Sequence, residues 1–428
     1  MGPFQFDDDG VIVRDAAAHD VMTALTHPGL RPLLRVSYAA CWQTGLGPLA
    51  FHLFNIGVHL LNVELVLRLS ARATRPGARA SEPPDTTAVV AALLFALHPI
   101  HSEAVTYLSG RSVSLATTAC LAALLLGAGG GGVLRAVGAA VAMLVAVSVK
   151  ETAATLPAGL LLWQVTVGGL GWTAALKRTA WAWALLAVLA VVAVGYDPTF
   201  RLLRDVVGSV PLGDALQRQL DGLAWVMSGL VRVDHLSIDP GLGFRPPSAA
   251  AVTVGAAIVV GLAAIAWRTR LPLVGFGIGW FLLQAFFPYL LLPRVDVLNE
   301  RHLYLADVGL FLAMGAWLAP SVETWSAARL RVAAAVTALA LGLATASRNH
   351  DYRSAVALWH QTTAVSPDNP RAYYNLGVSL ELEGRLAEAS AAYIHALDRE
   401  PNLTDARERL RRIAALTVER AAEAHQAP

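Results

Sequence analysis

The sequence predicts an all-α, polytopic membrane protein with about ten transmembrane helices and a short helical-repeat domain at its C-terminal end. Three observations predict this fold class. Hydrophobic residues make up 55% of the 428 residues and charged residues only 15%, whereas soluble domains contain about 25% charged residues. Long apolar runs fill residues 49–346, and a bilayer can accommodate so many separate runs while a soluble core cannot. Residues 347–428 are polar and contain a repeat pattern.

Ten apolar runs are long enough, or nearly long enough, for a helix that crosses a hydrocarbon core, which takes about 20 residues. We place them at residues 49–69, 87–101, 112–127, 133–149, 152–167, 179–195, 250–267, 271–292, 302–319 and 330–346. Residues 196–248 form the one long interruption between these runs. Within it, residues 214–233 are apolar on one side and polar on the other, which predicts an interfacial or re-entrant helix.

The distribution of Lys and Arg between the short loops predicts the orientation in the membrane. One set of loops contains most of them: Arg68, Arg72, Arg75, Arg79, Arg135, Lys177, Arg178, Arg268, Arg270, Arg329 and Arg331. The alternate set contains only Arg111, Lys150, Arg294 and Arg301. We therefore expect the first set to be cytoplasmic. The N-terminal segment, residues 196–248 and the C-terminal tail then face the periplasm of a bacterial inner membrane or the lumen of an ER-like membrane.

The C-terminal tail fits the 34-residue tetratricopeptide pattern over residues 370–403. The residues that fit its two helices and its closing position are Tyr373, Leu376, Gly377, Leu380, Ala389, Tyr393, Ala396 and Pro401. Ala355, Trp359 and Pro367 fit the second half of a preceding unit, and a polar capping helix is predicted at residues 404–416. We therefore predict tetratricopeptide repeats over residues 347–416, followed by a tail at 417–428.

Four clusters of polar residues border the apolar runs, and the predicted orientation puts all of them on the outer face. They are FQFDDDG with Asp7, Asp8 and Asp9, HPIHSEAVTYLSGR with His98, His101, Glu103 and Arg111, VKET with Lys150 and Glu151, and PRVDVLNERHLYL with Asp296, Glu300, Arg301 and His302. Any one cluster has a plain explanation, such as solvated acids or a lysine that extends to the interface. Charged groups at a membrane are costly, however, and usually have a function.

Together the four clusters predict a pocket at the membrane surface for an anionic ligand, next to an acidic base. A phosphate takes Arg and Lys donors, and a hydroxyl nucleophile takes a carboxylate partner. His98, His101 and Glu103 could also ligate a divalent metal, but their spacing matches no zinc pattern, so we assign no metal site.

Several stretches of this sequence occur together in a known family. They are FQFDDDGVI, GLRPLLRVSYA, FHLFNIGVHLLN, HPIHSEAVTYLSGR, VSVKET, HLSIDPG, NERHLYL and the junction from RNHDYRS to YYNLG. With these stretches, the chain resembles the transmembrane and tetratricopeptide-repeat-containing O-mannosyltransferase family, within the type C (GT-C) glycosyltransferase superfamily. The stretches follow the family's order over nearly the whole chain and end in the repeats.

The resemblance implies a domain organisation. Residues 1–45 correspond to an extracytoplasmic acidic loop, and residues 46–346 to a GT-C-like transmembrane domain that includes the extracytoplasmic loop 196–248. Family members have a membrane span before the acidic loop. Since Met1 lies only six residues before Asp7, we expect that this preceding span is missing from the sequence.

The resemblance also implies a reaction, in which a mannose-like sugar passes from a polyprenyl-phosphate donor to Ser/Thr hydroxyls of secreted or membrane polypeptides. Asp7 and Asp8 are the predicted catalytic pair, with one of them as the base. The candidates for binding the donor phosphate are Arg111, Lys150, Arg301 and His302. Further pocket candidates are His98, His101, Glu103, Glu151 and Glu300. The repeats would hold the acceptor in a groove at Tyr373, Tyr374 and Asn375.

No glycine-rich nucleotide loop is present in the sequence, which agrees with a lipid-linked donor. The expected partners are therefore the lipid-linked sugar, the acceptor polypeptide and membrane lipid, without nucleic acid. Two other functions remain open at this point. The chain could be a membrane-anchored repeat scaffold without catalytic activity, which would tolerate loss of the Asp pair. It could instead transport a lipid-linked intermediate, but neither internal symmetry nor charges in the middle of a span are evident.

Overall fold

The structure, a computed structural model, describes residues 2–27, 31–75, 82–129, 132–196, 210–291, 297 and 299–426. These residues form helices and connecting segments, and no β-strand occurs among them. The α-helices are α1 (Val21–Thr26), α2 (Pro32–Trp42), α3 (Pro48–Thr74), α4 (Thr86–Leu97), α5 (Ser102–Thr106), α6 (Arg111–Gly127), α7 (Val133–Val149), α8 (Leu156–Thr166), α9 (Trp172–Tyr196), α10 (Leu212–Gly229), α11 (Ala249–Thr269), α12 (Pro272–Leu291), α13 (Glu300–Val322), α14 (Ala327–Asp351), α15 (Ala355–Val365), α16 (Pro370–Leu382), α17 (Leu386–Arg399) and α18 (Thr404–Gln426).

Seven helices in the described part of the chain are long and apolar enough to cross a membrane. They are α3, α6 extended back to Leu108, α9, α11, α12, α13 and α14. An eighth span results if α4 and Pro99–Thr106, which meet at an angle of 53°, are counted together. Each of the ten predicted apolar runs contains helix within the described residues, but α7 has 17 residues and α8 only 11. The structure therefore supports a membrane protein, and the count of ten spans stays a prediction.

The helices α12 and α13 approach each other closely. They cross at Gly277 and Gly309, where a Cβ atom on either glycine would collide with the backbone carbonyl oxygen of the other. Next to the crossing, the indole Nε1 of Trp280 donates a hydrogen bond to the carbonyl oxygen of Leu305 at 2.7 Å. This packing buries most of α13 and fixes the position of its N-terminal end, which contributes to the site.

The predicted interfacial segment 214–233 corresponds to α10, an 18-residue amphipathic helix that is not among the span candidates. It packs on α11, where a Cβ atom on Gly255 would collide with the carbonyl oxygen of Leu220. The buried carboxylate of Asp221 in α10 lies 3.0 Å from the guanidinium of Arg245. At least one residue on the polar face of α10 therefore forms an ion pair inside the protein. Residues 197–209, which belong to the same predicted loop, lie outside the described residues.

The repeat region of the sequence folds as a helical hairpin of α16 and α17. A Cβ atom on Gly377 would collide with the ring of Tyr393, so the glycine allows these two helices to approach closely. The hydroxyl of Tyr393 donates to Glu381 at 2.7 Å. The helices α15 and α18 pack before and after this hairpin. Both predicted helices of residues 370–403 are therefore present, and the assignment to the tetratricopeptide class stays a prediction.

Candidate functional site

The acidic loop is held in place through Asp8. Its carboxylate is only 1% exposed and accepts the backbone N–H groups of Gln5 at 3.0 Å and Ser109 at 2.8 Å. Burial raises the pKa of Asp8 to about 7, although the two backbone hydrogen bonds act in the opposite direction. Since both carboxylate oxygens are bound to the fold, Asp8 attaches the loop to the turn that precedes α6.

Asp7 and Asp9 have different surroundings from Asp8. The backbone N–H of Asp7 donates to the hydroxyl of Tyr107 at 2.9 Å. Its side chain is 46% exposed, and Oδ2 lies 3.9 Å from Nη1 of Arg301. Asp9 pairs at the surface with Arg14 at 2.7 Å. Of the three consecutive acids, Asp7 is therefore the one whose side chain is both half-exposed and part of the lining of the two cavities described next.

Two cavities meet at Asp7 and Arg301, which line both of them. The first has a volume of about 130 Å³, and we call it the cationic cavity. The second has a volume of about 150 Å³, and we call it the aromatic cavity. Besides the two shared residues, the cationic cavity is lined by Val11, Arg31, Leu34, Tyr38, Ser109, Ser112, Lys150 and His302. The aromatic cavity is further lined by Phe6, Ile238, Asp239, Asn299, Trp359 and Arg371.

The cationic cavity collects positive side chains from separate parts of the chain. Arg31 precedes α2, and its Nε and Nη2 atoms donate hydrogen bonds to the two carboxylate oxygens of Glu151 at 2.7 to 3.1 Å. Lys150, at the end of α7, is buried and also borders a smaller pocket that reaches the apolar residues Val113 and Leu305. This arrangement places basic groups next to apolar surface, which suits an anionic head group with an apolar tail.

The N-terminal end of α13 supplies two further residues of the cationic cavity. The backbone N–H of Arg301 donates to Glu103 Oε2 at 2.8 Å, and its Nε lies 3.5 Å from Glu103 Oε1. The buried Glu103 thus holds Arg301 toward Asp7. The ring of His302 packs against Tyr289 with 4.6 Å between the ring centres. Asn299 caps α13, and this capping fixes where both side chains leave the helix.

Arg111, a predicted phosphate ligand, lies outside both cavities. It is completely buried, and its guanidinium donates to Asn55 Oδ1 at 2.7 Å and to the carbonyl oxygens of Ser37 at 2.9 Å and Phe51 at 3.1 Å. The guanidinium carbon also lies 4.4 Å from the centre of the Phe54 ring. Arg111 therefore joins α2, α3 and α6, and we leave it out of the phosphate site.

Three other predicted pocket residues also contact partners inside the protein and do not face either cavity. Glu300 is buried against Arg348 of α14 at 3.1 Å. A ring nitrogen of His98 lies 3.1 Å from the carbonyl oxygen of Leu230, and one of His101 lies 2.8 Å from that of Phe95. None of the three lines either cavity. Glu103 and Glu151 do not line them either, but they hold Arg301 and Arg31.

No group of three or more His, Cys, Asp or Glu side chains that could hold a metal ion occurs among the described residues. His98 and His101 each direct one ring nitrogen to a backbone carbonyl, and Glu103 faces Arg301. The structure therefore gives no support to a divalent metal at these three residues.

The predicted groove residues of the repeat face other repeat helices. Tyr373 packs under the guanidinium of Arg399 at 4.2 Å, and the hydroxyl of Tyr374 accepts from Arg409 at 3.2 Å. Asn375 is buried. None of the three lines the cationic or the aromatic cavity, so their predicted role in binding the acceptor stays a prediction.

Several residues of the site were missed by reasoning from the sequence. Arg31 and Asp239 lie inside two stretches that carry the family resemblance, GLRPLLRVSYA and HLSIDPG. The charged residues of these stretches could therefore have been selected as site candidates from the sequence. Tyr107 stands in HPIHSEAVTYLSGR, where only the charged and imidazole residues were selected. Trp359 and Arg371 belong to the repeat, and only the tertiary fold shows that they reach the acidic loop.

Comparisons with known proteins find partial similarity to protein O-mannosyl-transferases. The chain is 36% identical to the human Protein O-mannosyl-transferase TMTC1 over 117 residues, which is 27% of this chain. It is 32% identical over 111 residues to Tmtc2 and 36% identical over 113 residues to Tmtc3, both from Drosophila melanogaster, covering 26% and 23% of this chain. In each case the match covers 12% of the relative. No protein-family model and no solved structure matches the chain. Over about a quarter of its length, this chain is thus similar to animal proteins named protein O-mannosyl-transferases.

Proposed function

We propose that this protein is a membrane glycosyltransferase that moves a mannose-like sugar from a polyprenyl-phosphate donor to Ser/Thr hydroxyls of polypeptides on the extracytoplasmic face. The observation that carries the proposal is the placement of Asp7 at the junction of two cavities, one of which is rich in cations. The partial similarity to proteins named protein O-mannosyl-transferases also supports it, as do the seven apolar helices.

Asp7 is the proposed general base. Its carboxylate is exposed to the cavities, whereas both carboxylate oxygens of Asp8 accept backbone hydrogen bonds. Asp7 takes the proton of the acceptor hydroxyl while the hydroxyl oxygen attacks the anomeric carbon of the sugar. The bond between that carbon and the lipid-phosphate oxygen breaks, and the phosphate leaves with its electron pair. Attack opposite to the leaving group inverts the configuration at the anomeric carbon.

The leaving phosphate is proposed to bind in the cationic cavity. Arg301, Lys150 and Arg31 line this cavity, and charged donors at such positions stabilise the negative charge that develops on the leaving oxygen. His302 lies beside them and can donate a hydrogen bond from its ring. The small pocket next to Lys150 and His302 continues toward Val113 and Leu305, which suits the first apolar units of the lipid.

Asp8 and Tyr107 are proposed as positioning residues. Asp8 binds the backbone of Gln5 and Ser109, and Tyr107 accepts the backbone N–H of Asp7. Since these contacts fix the backbone on both sides of the Asp7 side chain, they set the direction in which its carboxylate points. A misplaced base loses rate even when its chemistry is unchanged.

The test is a transfer assay with the full-length protein in liposomes that contain polyprenyl-phosphate-mannose, with a serine- and threonine-rich peptide as the acceptor. We expect transfer by the wild type and a loss of about 10²- to 10⁴-fold in Asp7→Asn, because the amide keeps the size of the side chain but cannot take a proton. Asp9→Asn is the matched control, since Asp9 is exposed and pairs with Arg14 outside both cavities.

Near-normal transfer by a well-folded Asp7→Asn variant would remove Asp7 as the base. If the wild type transfers no sugar to any hydroxyl peptide, the proposed activity is wrong. Peptide capture without transfer would then favour the scaffold function.

A further inference from the structure

The aromatic cavity is built from four distant parts of the chain, one of which is the N-terminal end of α13 with Asn299 and Arg301. The acidic loop contributes Phe6 and Asp7, the segment 237–244 contributes Asp239, and the first repeat helices contribute Trp359 and Arg371. The rings of Phe6 and Trp359 meet edge to face, with 5.0 Å between their centres. The repeat region therefore lines the same cavity as the proposed base.

We propose that the aromatic cavity is the acceptor subsite, and that it binds an extended peptide segment whose uncharged Ser or Thr residue points at Asp7. This inference rests on the proposed function, because it assigns the second substrate of the same site. It places the acceptor at Phe6, Trp359 and Arg371, at the first repeat helices, and away from the groove at Tyr373 and Tyr374.

The charges of the cavity favour an uncharged residue. Arg371 forms an ion pair with Asp239 at 2.6 Å, and Arg301 lies 3.9 Å from Asp7, so the charged side chains in the lining come as two pairs of opposite sign. An acidic or basic acceptor side chain would therefore lie near a like charge as well as an opposite one. Phe6 is 39% exposed and offers a ring face to the peptide backbone or to an apolar neighbour of the hydroxyl residue.

The two cavities adjoin at the proposed base. They share only Asp7 and Arg301 among their lining residues, so these two side chains lie at the junction between them. In the proposed reaction, the acceptor hydroxyl lies in the aromatic cavity, the lipid phosphate lies in the cationic cavity, and the sugar lies at the junction. Asp7 is then next to the nucleophile, as a general base requires.

Three hydrogen bonds keep the repeat wall at a fixed distance from the membrane part. Gln361 donates to the carbonyl oxygen of Leu236 at 2.7 Å, and Asn369 donates to that of Asp239 at 3.0 Å. On the other side, Gln5 in the acidic loop donates to the carbonyl oxygen of Tyr352 at 2.6 Å. The cavity is thus preformed, and the acceptor need not order a loop in order to bind.

The first experiment detects the peptide without the reaction. A photoreactive phenylalanine analogue is incorporated at position 6 of the full-length protein, or at position 374 for comparison, and irradiated with a serine- and threonine-rich peptide in the absence of donor. We expect cross-linking from position 6 and little from position 374. Cross-linking from position 374 alone, or from neither position, would overturn the inference.

The second experiment separates the acceptor from the donor. Phe6→Ala should raise the KM for the peptide by roughly 3- to 10-fold, as expected for the loss of one aromatic contact, and leave donor affinity unchanged. Phe287→Ala is the matched control, because Phe287 is a similarly exposed phenylalanine on α12 outside both cavities. A peptide KM that is unchanged in Phe6→Ala, with normal transfer, would overturn the subsite and leave the proposed function intact. Cross-linking from position 6 without any transfer would support the subsite and contradict the proposed function.

Discussion

Adjacent residues of the same type have different environments in the acidic loop. Asp8 is buried and binds two backbone N–H groups, while the neighbouring Asp7 is nearly half exposed and lines two cavities. Sequence reasoning treated them as an equivalent pair, because nothing in a run of three aspartates shows which side chain turns inward. The difference in environment, and not in residue type, is therefore the reason for which we propose Asp7 as the base and Asp8 as a positioning residue.

The raised pKa of Asp8 predicts a pH dependence of stability. Its ordinary pKa is 3.8 and its pKa in the fold is about 7, so the folded state holds the proton more tightly than the unfolded state does. The contribution of Asp8 to the stability of the folded state is therefore fully present below about pH 4, and it is lost as the pH rises to about 7. In Asp8→Asn this decline should disappear, with a difference between the variants of up to a few kcal/mol, at about 1.4 kcal/mol per pKa unit.

The measurement is the melting temperature of wild type, Asp8→Asn and the control Asp9→Asn in detergent, between about pH 4 and about pH 8. Parallel pH profiles for wild type and Asp8→Asn would show that this carboxyl keeps its ordinary pKa in the folded protein.

Removal of the Arg301 side chain should weaken donor binding more than folding. Losing a charged hydrogen bond to phosphate costs about 1.5–3 kcal/mol. Arg301→Ala alone would leave the buried carboxylate of Glu103 without this partner. The variant to compare with the wild type is therefore Arg301→Ala combined with Glu103→Gln, which removes both charges. Donor affinity and melting temperature are measured together, and Arg14→Ala is the control at a surface ion pair. Unchanged donor affinity in the folded double variant would move the phosphate role to Lys150 or Arg31.

At the scale of the helix, α13 connects the site to the rest of the membrane part. Its first turn directs three consecutive side chains to different partners, with Glu300 toward Arg348, Arg301 toward Glu103 and Asp7, and His302 toward Tyr289. Its middle is fixed on α12 by the glycine crossing at Gly277 and Gly309. The packing of α13 therefore determines the geometry at its N-terminal end.

The Glu300–Arg348 pair joins α13 to α14, and both side chains are buried. Arg348→Ala should destabilise the protein by about 3–5 kcal/mol, because it leaves a buried carboxylate without its main partner. The double variant Glu300→Gln and Arg348→Met should recover most of that loss, since it removes both charges. Chemical denaturation in detergent compares the two. Equal losses in the single and double variants would show that the pair acts through packing and not through charge.

Helices were predicted better than contacts. The run at 133–149 coincides with α7, and the run at 250–267 differs from α11 by one or two residues at each end. Hydrophobic periodicity marks such helices because their side chains share one environment. The predicted run 179–195 begins seven residues after the start of α9 at Trp172, because the first two turns of this helix include the charged residues Lys177 and Arg178.

The site was predicted only in part, for a physical reason. Asp7, Lys150, Arg301 and His302 were chosen by charge and do line the cavities. Arg111 was chosen on the same grounds, yet it binds Asn55 and two backbone carbonyls inside the fold. A charge in a sequence does not reveal whether its partner is a ligand or a neighbouring helix, because the partner comes from a distant part of the chain.

At the scale of the whole molecule, the cavities lie where the acidic loop, the N-terminal end of α13 and the repeat helices meet. This arrangement requires the acidic loop and the repeat to be on one side of the membrane. The uneven distribution of Lys and Arg between the loops predicts that this side is extracytoplasmic. If that orientation holds, the proposed reaction takes place where secreted polypeptides and lipid-linked sugars are available.

A reporter fused after Glu400 tests this orientation. We expect activity from a reporter that works only outside the cytoplasm, such as a periplasmic phosphatase in a bacterial host, and none from one that fluoresces only in the cytoplasm. A fusion after Arg268, which precedes the predicted cytoplasmic turn between α11 and α12, should give the reverse pattern and serves as the matched control. Cytoplasmic activity of the fusion after Glu400 would place the site on the other side.

The attachment of the repeat to the membrane part also bears on how such proteins can diversify. The hydrogen bonds of Gln361, Asn369 and Arg371 to the segment 236–239 involve only α15 and the start of α16. Within the described residues, the side-chain hydrogen bonds shown for α17 and α18 go to other parts of the repeat. Duplication or loss of units after α17 would therefore leave the attached helices in place. Under the proposed function, the number of repeat units, and with it the range of acceptors, can therefore change in evolution without a change in the residues of the proposed site.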